Sequence, residues 1–414
     1  ALLLEAYLDA YLLTGKKLYS ETAHNICGYV LRDLRDESGA FHSAEDADSE
    51  GEEGKFYVWS FDELREILGK DADLAAFVWG CVEAGNFFDE STHARTGANI
   101  LHLPRTIAES AKQRGLEEDV LRRLVFDWRG KLFEKRSERE RPLLDDKVLT
   151  DWNGLMIGAL ARAGSVLDEP KYLAAAQEAA DFVLTKMTDD GRLLHRYRDG
   201  KTGIRAYAED YAFLLNGLFA LYEADFDTRW LEEASRLAAE MIRLFQKDNG
   251  LLYTQGEDDE DRMIASNTNV FDGAIPSANS AGAYALLRLG RLLQNDEFTQ
   301  AGTKILQGES ARLSQMPVAH AYGLLALEWL LLPVREIVVA GDDAEPMLAE
   351  LRKHFLPRSV MIRNDGNPKL RELVPFVENQ KALGGKPTAY VCENYTSNAP
   401  VTDIEKLKEA LASS

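Results

Sequence analysis

Three short polar clusters recur along this chain at a similar interval: Asp151-Trp152-Asn153, Glu209-Asp210-Tyr211 and Ser277-Ala278-Asn279. Asn153 and Asp210 lie 57 positions apart, and Asp210 and Asn279 lie 69 apart. Carboxylates, amides and aromatic rings together suit a sugar site. Rings stack on the apolar faces of pyranoses, amides hydrogen-bond hydroxyls, and two carboxylates can act as acid and base or as nucleophile. The same residues suit a structural task, because Asp and Asn at helix N-termini satisfy free backbone N–H groups. Recurrence beside Trp152 and Tyr211 favours a shared mouth, with Asp210 as a catalytic acid or base. Glu209, Tyr211, Trp152, Asn153 and Asn279 are then candidate binding residues. Asp272, just ahead of the third cluster, is a further mouth carboxylate or a turn former.

A second concentration of carboxylates lies between His42 and the aromatic run Phe56, Tyr57 and Trp59. Glu45, Asp46, Asp48, Glu50, Glu52 and Glu53 fall within nine positions. Long acidic runs stay solvated, but this one is short, broken by Gly51 and Gly54, and leads into a strand-like segment. The pattern predicts an ordered loop, with Asp46 and Asp48 as general acid or base and His42 and Trp59 as binding residues. Glu50 to Glu53 read as a solvated turn. The start Asp46-x-Asp48-x-Glu50-Gly51 has the alternating oxygens of a calcium loop, but Tyr57 stands where the bidentate twelfth-position Glu belongs. No metal and no cofactor are expected.

The elements that must position these residues are helical and come in pairs. The stretch 151–166 is apolar nearly all round, as a buried helix requires, and 170–187 is amphipathic. The same pairing recurs at 209–224 with 229–247 and at 277–293 with 297–307. Counting 2–33, an expanded pair within 61–139 and a lone helix at 318–331 gives five pairs and a half. A period of 58 to 68 residues between Tyr172, Trp230 and Phe298 marks an array of helical hairpins. Neither end looks like a polar cap, so the pattern favours closure into an (α/α)6 toroid over an open solenoid. The polar clusters stand at inner-helix starts and so should gather at one mouth. Strand-like pieces with turns lie at 192–206 and 251–254, the latter ahead of an acidic stretch at 256–262. The acidic loop at 45–53 follows the first pair and reads as a lid or wall of that mouth. After Pro333 the pattern becomes a small α/β appendage, giving expected domains at 1–333 and 334–414. A single glycine after its first strand, Gly341, leaves no phosphate loop.

The 414 residues carry a net charge of −21 with a pI near 4.9. Such a field repels nucleic acid and anionic membrane, so neither is an expected partner. No apolar run reaches the length of a membrane span. Three scattered cysteines, Cys27, Cys81 and Cys392, make neither a disulfide framework nor a zinc site, and the expected location is the reducing cytoplasm. Cys27 and Cys81 sit in apolar helical contexts and read as inert. The abrupt helical start suggests the downstream part of a longer polypeptide.

Four segments together resemble the YyaL-like, or spermatogenesis-associated protein 20, family. They are His42 to Trp59, Asp151-Trp-Asn-Gly-Leu-Met-Ile157, Ala208-Glu-Asp-Tyr-Ala212 and Pro276-Ser-Ala-Asn-Ser280. The resemblance covers essentially the whole chain. It implies a thioredoxin-like domain followed by a six-hairpin glycosidase-like toroid, with the thioredoxin-like part lying outside this sequence. It also implies a Cys-x4-Cys pair near the C-terminus, but Ser397 stands at the second position after Cys392. A C-terminal dithiol is thereby excluded, and redox work would fall to the thioredoxin-like domain. Sugar epimerases on this fold use paired histidines; His195 and His320 are the candidates, yet no second His stands at a matching helix start. The expected function is a carbohydrate-active enzyme, glycoside hydrolase or epimerase, working by carboxylate acid–base chemistry on a small saccharide. The alternative is a non-catalytic module that presents a ligand or client to the thioredoxin-like domain.

Overall fold

The computed structural model describes residues 1–88, 94–258, 267–397 and 399–412. Packing divides it into two units, 1–43 with 146–414, and 44–145. The expected boundary at 333/334 is not where the division falls. The C-terminal α/β segment packs within the helical unit, because its strands share a core with the helices (Val338, Val360 and Ile362 with Leu221 and Leu286). Residues 259–262 of the acidic stretch lie outside the described residues.

The larger unit opens with α1 (Leu2–Thr14) and α2 (Lys17–Tyr29), joined at Gly15, whose φ of 65° is the left-handed cap that glycine adopts readily. After a π-helical turn at Val30–Leu34, β1 (His42–Glu45) leads into the smaller unit. There β2 (Asp48–Ser49) pairs with β3 (Glu52–Glu53), and β4 (Trp59–Ser60) pairs with β5 (Ala98–Asn99). Helices α3 (Phe61–Leu68), α4 (Ala72–Val78), α5 (Ile107–Arg114) and α6 (Glu118–Ser137) bury Trp59, Leu64, Trp79, Leu121 and Trp128 in a core of their own. Capping boxes start two of them: Ser60 with Glu63, and Thr106 with Glu109.

The chain returns along β6 (Leu144–Leu149) into α7 (Thr150–Val166) and α8 (Pro170–Lys186). Then come β7 (Thr188–Asp189), β8 (Arg192–Arg198), β9 (Lys201–Arg205), α9 (Ala208–Asp225) and α10 (Thr228–Phe245). Three more helices follow, α11 (Ala278–Leu293), α12 (Asp296–Gln315) and α13 (Ala321–Leu331). The strands form one sheet in the order β1-β6-β8-β7, with β9 on β8. Helices α1, α7, α9, α11 and α13 pack in that order as an inner row, and α2, α8, α10 and α12 each back the inner helix that precedes them. The inner helices are apolar on almost every face, whereas α10 confines its apolar residues to one. Glycines set the closeness of the row. A Cβ on Gly154 would come 2.5 Å from the Leu214 backbone nitrogen, and one on Gly217 would come 2.5 Å from the Gly154 oxygen.

The fold is therefore mainly α, an array of helical hairpins with short β-hairpins and an α/β C-terminal segment. One pair differs from expectation. The stretch 61–139 is not a hairpin of this row, because α1 packs directly on α7. In the C-terminal segment, β10 (Arg335–Ala340) runs parallel to β11 (Ser359–Asn364) and antiparallel to β12 (Thr388–Glu393), which pairs with β13 (Thr396–Ser397). Helices α14 (Glu345–Leu351), α15 (Pro368–Leu373) and α16 (Ile404–Ala412) complete it. No helix among the described residues is long and apolar enough to cross a membrane.

Candidate active site

Three titratable side chains converge at the N-terminal ends of two inner helices: Asp151 on α7, Asp210 on α9 and His195 on β8 of the hairpin leading into α9. One ligating atom of each lies within 4.8 Å of the others. The local fold explains the meeting. Residue 210 is the third of α9, and its carboxylate accepts the Tyr207 backbone N–H at 2.7 Å, closing the start of the helix. It also accepts the Asp151 backbone N–H at 2.9 Å, which ties α7 to α9. His195 Nδ1 lies 2.9 Å and 3.0 Å from its two oxygens. The His195 ring packs beside Tyr207, centroids 5.1 Å apart.

The environment separates the roles of these groups. Burial, aided by the neighbouring Asp210 charge, pushes the Asp151 carboxyl up to about 7. Burial pulls the His195 imidazole down, but the hydrogen bond and charge of Asp210, helped by Asp151, outweigh it and hold the ring above its ordinary value. Asp210 is 0% exposed and makes no surface of its own. It orients His195, while His195 keeps 18% of its side chain accessible. A nitrogen held by a buried carboxylate leaves Nε2 as the working atom, the arrangement by which a histidine becomes an oriented acid or base. The three residues could also bracket a cation. Both Asp210 oxygens accept backbone N–H bonds, and Nδ1 of His195 bonds to the carboxylate directly, an arrangement that can also pass a proton.

The other residues singled out by the sequence fall in different places. Asn153 is a clamp: its Oδ1 accepts the Phe41 N–H at 2.9 Å, and its Nδ2 donates to the Phe41 and Leu149 carbonyls. Asn279 repeats the device on Leu252, accepting its N–H at 2.8 Å and donating to its carbonyl at 2.9 Å. Neither side chain is free for a ligand, because a buried backbone segment requires the pairing. Asp272 accepts the backbone N–H groups of Ser277, Tyr322 and Gly323, so it is a turn former. Tyr211 is fully buried, with its hydroxyl 2.8 Å from Arg192. Glu209 is half-buried and accepts from Asn269. Trp152, 41% exposed and next in sequence to Asp151, is the one aromatic of the set that presents a face. His42 Nδ1 lies 3.2 Å from the Asp146 carbonyl.

The remaining three belong to the smaller unit. Asp46 accepts its own Asp48 N–H at 3.0 Å, a turn-forming bond, and Asp48 is exposed on the β2–β3 hairpin. Trp59 is 3% exposed, a core residue with the Arg139 guanidinium 4.0 Å above its ring. A groove of about 680 Å³ in this unit is lined by Glu50, Lys55, Phe56, Glu63 and Arg139, among others. Its charges pair with one another, as Lys55 does with Glu50 at 3.4 Å and Arg139 with Glu63 at 2.9 Å.

Sequence reasoning passed over Asp151 as an acid and set His195 aside for want of a histidine partner. The usable signal was spacing: Asp151 stands 59 residues before Asp210, a hairpin period, and His195 lies on the hairpin feeding the helix that carries Asp210.

No family model matches the chain. Among curated proteins, human spermatogenesis-associated protein 20 is 33% identical over 441 residues, covering 98% of this chain and 56% of that protein. The rat protein of the same name is 32% identical with the same coverage. This chain thus spans a little over half the length of those relatives. Among solved structures, a D-mannose isomerase is 14% identical with a TM-score of 0.39, over 75% of this chain and 73% of that one. A family 105 glycoside hydrolase of C. acetobutylicum is 13% identical with a TM-score of 0.36, over 74% and 75%. Likeness at that level carries no argument about chemistry. In sequence, the chain is related over 98% of its own length to spermatogenesis-associated protein 20.

Proposed function

We propose that the larger unit is an acid–base enzyme acting on a small carbohydrate, with proton transfer at carbon as in an epimerase or isomerase. The observation that carries the reading is the Asp210–His195 pair beside a carboxyl that titrates near neutrality. His195 Nε2 takes the proton from the carbon next to the carbonyl of an open-chain sugar. The C–H electron pair forms an enediolate, whose oxygen the Asp151 acid protonates to give an enediol. His195 then delivers its proton to the neighbouring carbon while the hydroxyl proton of the other enediol oxygen passes to the Asp151 carboxylate, which restores both groups. Trp152 offers the stacking face. Glycoside hydrolysis fits less well, because Asp210, with both oxygens holding backbone N–H groups, is unavailable as nucleophile or base. A thioredoxin-like domain as partner of this unit is part of the same proposal. Within this chain all three cysteines are buried, and burial pushes Cys27 up to about 12 and Cys81 to about 11.

The test is incubation with reducing mono- and disaccharides in D2O, followed by NMR. Deuterium should enter the carbon next to the carbonyl of at least one sugar. His195→Ala and Asp151→Asn should each slow that exchange by roughly 10²–10⁴-fold. No exchange with any sugar, or unchanged exchange in both variants, overturns the enzyme reading. A melting-temperature shift without exchange would favour the binding-module alternative.

A further inference from the structure

A cavity of about 260 Å³ lies among α1, α7, α9, α11 and α13 and is closed on one side by the 351–361 stretch of the C-terminal segment, which includes Arg352 and His354. It runs along the inner row from Gly154 and Phe213, one turn past Asp151 and Asp210, to Val166 and Ala224 at the far end, where its charged residues stand. Along α7, Arg162 is eleven residues past Asp151, which is ~16 Å of helix, and none of Asp151, His195 or Asp210 lines the space.

Its chemistry is unusual for a helical interior. Arg162 lies 2.5 Å from Asp9 and 3.8 Å from Glu5, and each of the three keeps about a third of its side chain accessible, facing this space. Arg288 pairs with Glu223 at 3.1 Å. Tyr284, Tyr322 and Trp329 form an aromatic wall, Tyr284 standing edge-on to both others at 5.4 Å and 6.1 Å. Charges of both signs therefore face a small space bounded on one side by rings.

The matched pairs select the ligand class. An anion meets carboxylates that already hold the guanidinium groups, and a simple cation meets the guanidinium groups. A purely apolar ligand would strip water from the ion pairs without replacing its hydrogen bonds. Hydroxyl groups do replace them, donating to the carboxylates and accepting from the guanidinium groups, while an apolar ring face lies on the aromatic wall. The volume is below that of a drug-sized site. We infer that this cavity binds a neutral, polyhydroxylated six-membered ring, a monosaccharide or a cyclitol, at a site separate from the proton relay.

The test is calorimetric titration of the full chain in the Asp151→Asn background, where turnover is suppressed and binding alone is read. The probes are glucose, mannose and myo-inositol, with glucose 6-phosphate, glucuronate and glucosamine as charged counterparts. At least one neutral ring should bind, with the charged counterparts at least 10-fold weaker. Leu325→Trp, a substitution at a 44% exposed lining position, should fill the cavity and weaken binding at least 10-fold while the melting curve stays cooperative. Tyr322→Phe should weaken it less. Repeating the titration with Asp151 restored and His195→Ala should give the same affinity. Binding by none of the neutral rings, equal or tighter binding of the charged ones, or binding untouched by Leu325→Trp overturns the proposal. Because the sugar-exchange assay reads a different set of residues, failure there leaves this result standing, and the reverse.

Discussion

At the residue scale, burial decides how the candidate site holds its protons. Asp151 and His195 are ordinary side chains whose proton affinities are set by a dry setting and by Asp210. A second buried pair shows the cost of lacking such a partner. Glu309 on α12 and His320 are both 0% exposed, 3.9 Å apart, and none of their four polar side-chain atoms has a hydrogen-bond partner. Burial, with the Asp272 charge against the Arg312 charge, pushes the Glu309 carboxyl up to about 8. The folded state therefore holds a proton there that the unfolded chain releases at its lower, ordinary carboxyl value. That contribution to stability is complete below the unfolded value and is lost as pH rises through about 8. Glu309→Gln should melt close to the wild type at pH 5 and clearly above it at pH 9, as followed by differential scanning fluorimetry. An unchanged gap between the two pH values would show that Glu309 does not titrate with folding.

At the element scale, one device is repeated: an amide in the first turns of an inner helix clamps a backbone segment distant from it in sequence. Asn153 holds Phe41 and Asn279 holds Leu252, each by both the N–H and the C=O. In α9 the matching position is occupied by Asp210, which holds Tyr207 and Asp151 and in addition receives His195. An acid in place of an amide lets the same clamp also hold an imidazole, which is half of the proton relay we propose. Asn279→Ala should therefore destabilise the protein by about 1–3 kcal/mol, the penalty of unpaired buried backbone groups. Its sugar exchange per folded molecule should stay at the wild-type rate. Urea unfolding measured beside the D2O assay checks both, and a loss of exchange without a loss of stability would return Asn279 to the substrate site.

At the scale of the whole molecule, a net charge of −21 governs behaviour in solution more than fold. Acidification toward the pI near 4.9 removes the self-repulsion, so light scattering should peak there and fall again by neutral pH. The two units keep separate cores, the smaller built on Trp59, Trp79 and Trp128 and the larger on the inner helices. A hairpin count along the chain merged them, because amphipathic helices of 61–139 carry the same periodicity whichever core they face.

Much of the architecture was legible from residues alone. Apolar-all-round and amphipathic stretches alternate as inner and outer helices, and the β-branched runs after Pro333 became strands. Both readings rest on burial periodicity, which is local. Helix-start positions of Asp151, Asp210, Asn153 and Asn279 were legible for the same reason. What each does there was not. An Asp or Asn at a helix start can cap, clamp or catalyse, and only the groups brought within 3 Å of it decide which. Tertiary packing alone delivered Phe41 and Leu252 to the amides and His195 to Asp210. It also buried the Asp151 carboxyl beside Asp210, which pushes it up to about 7.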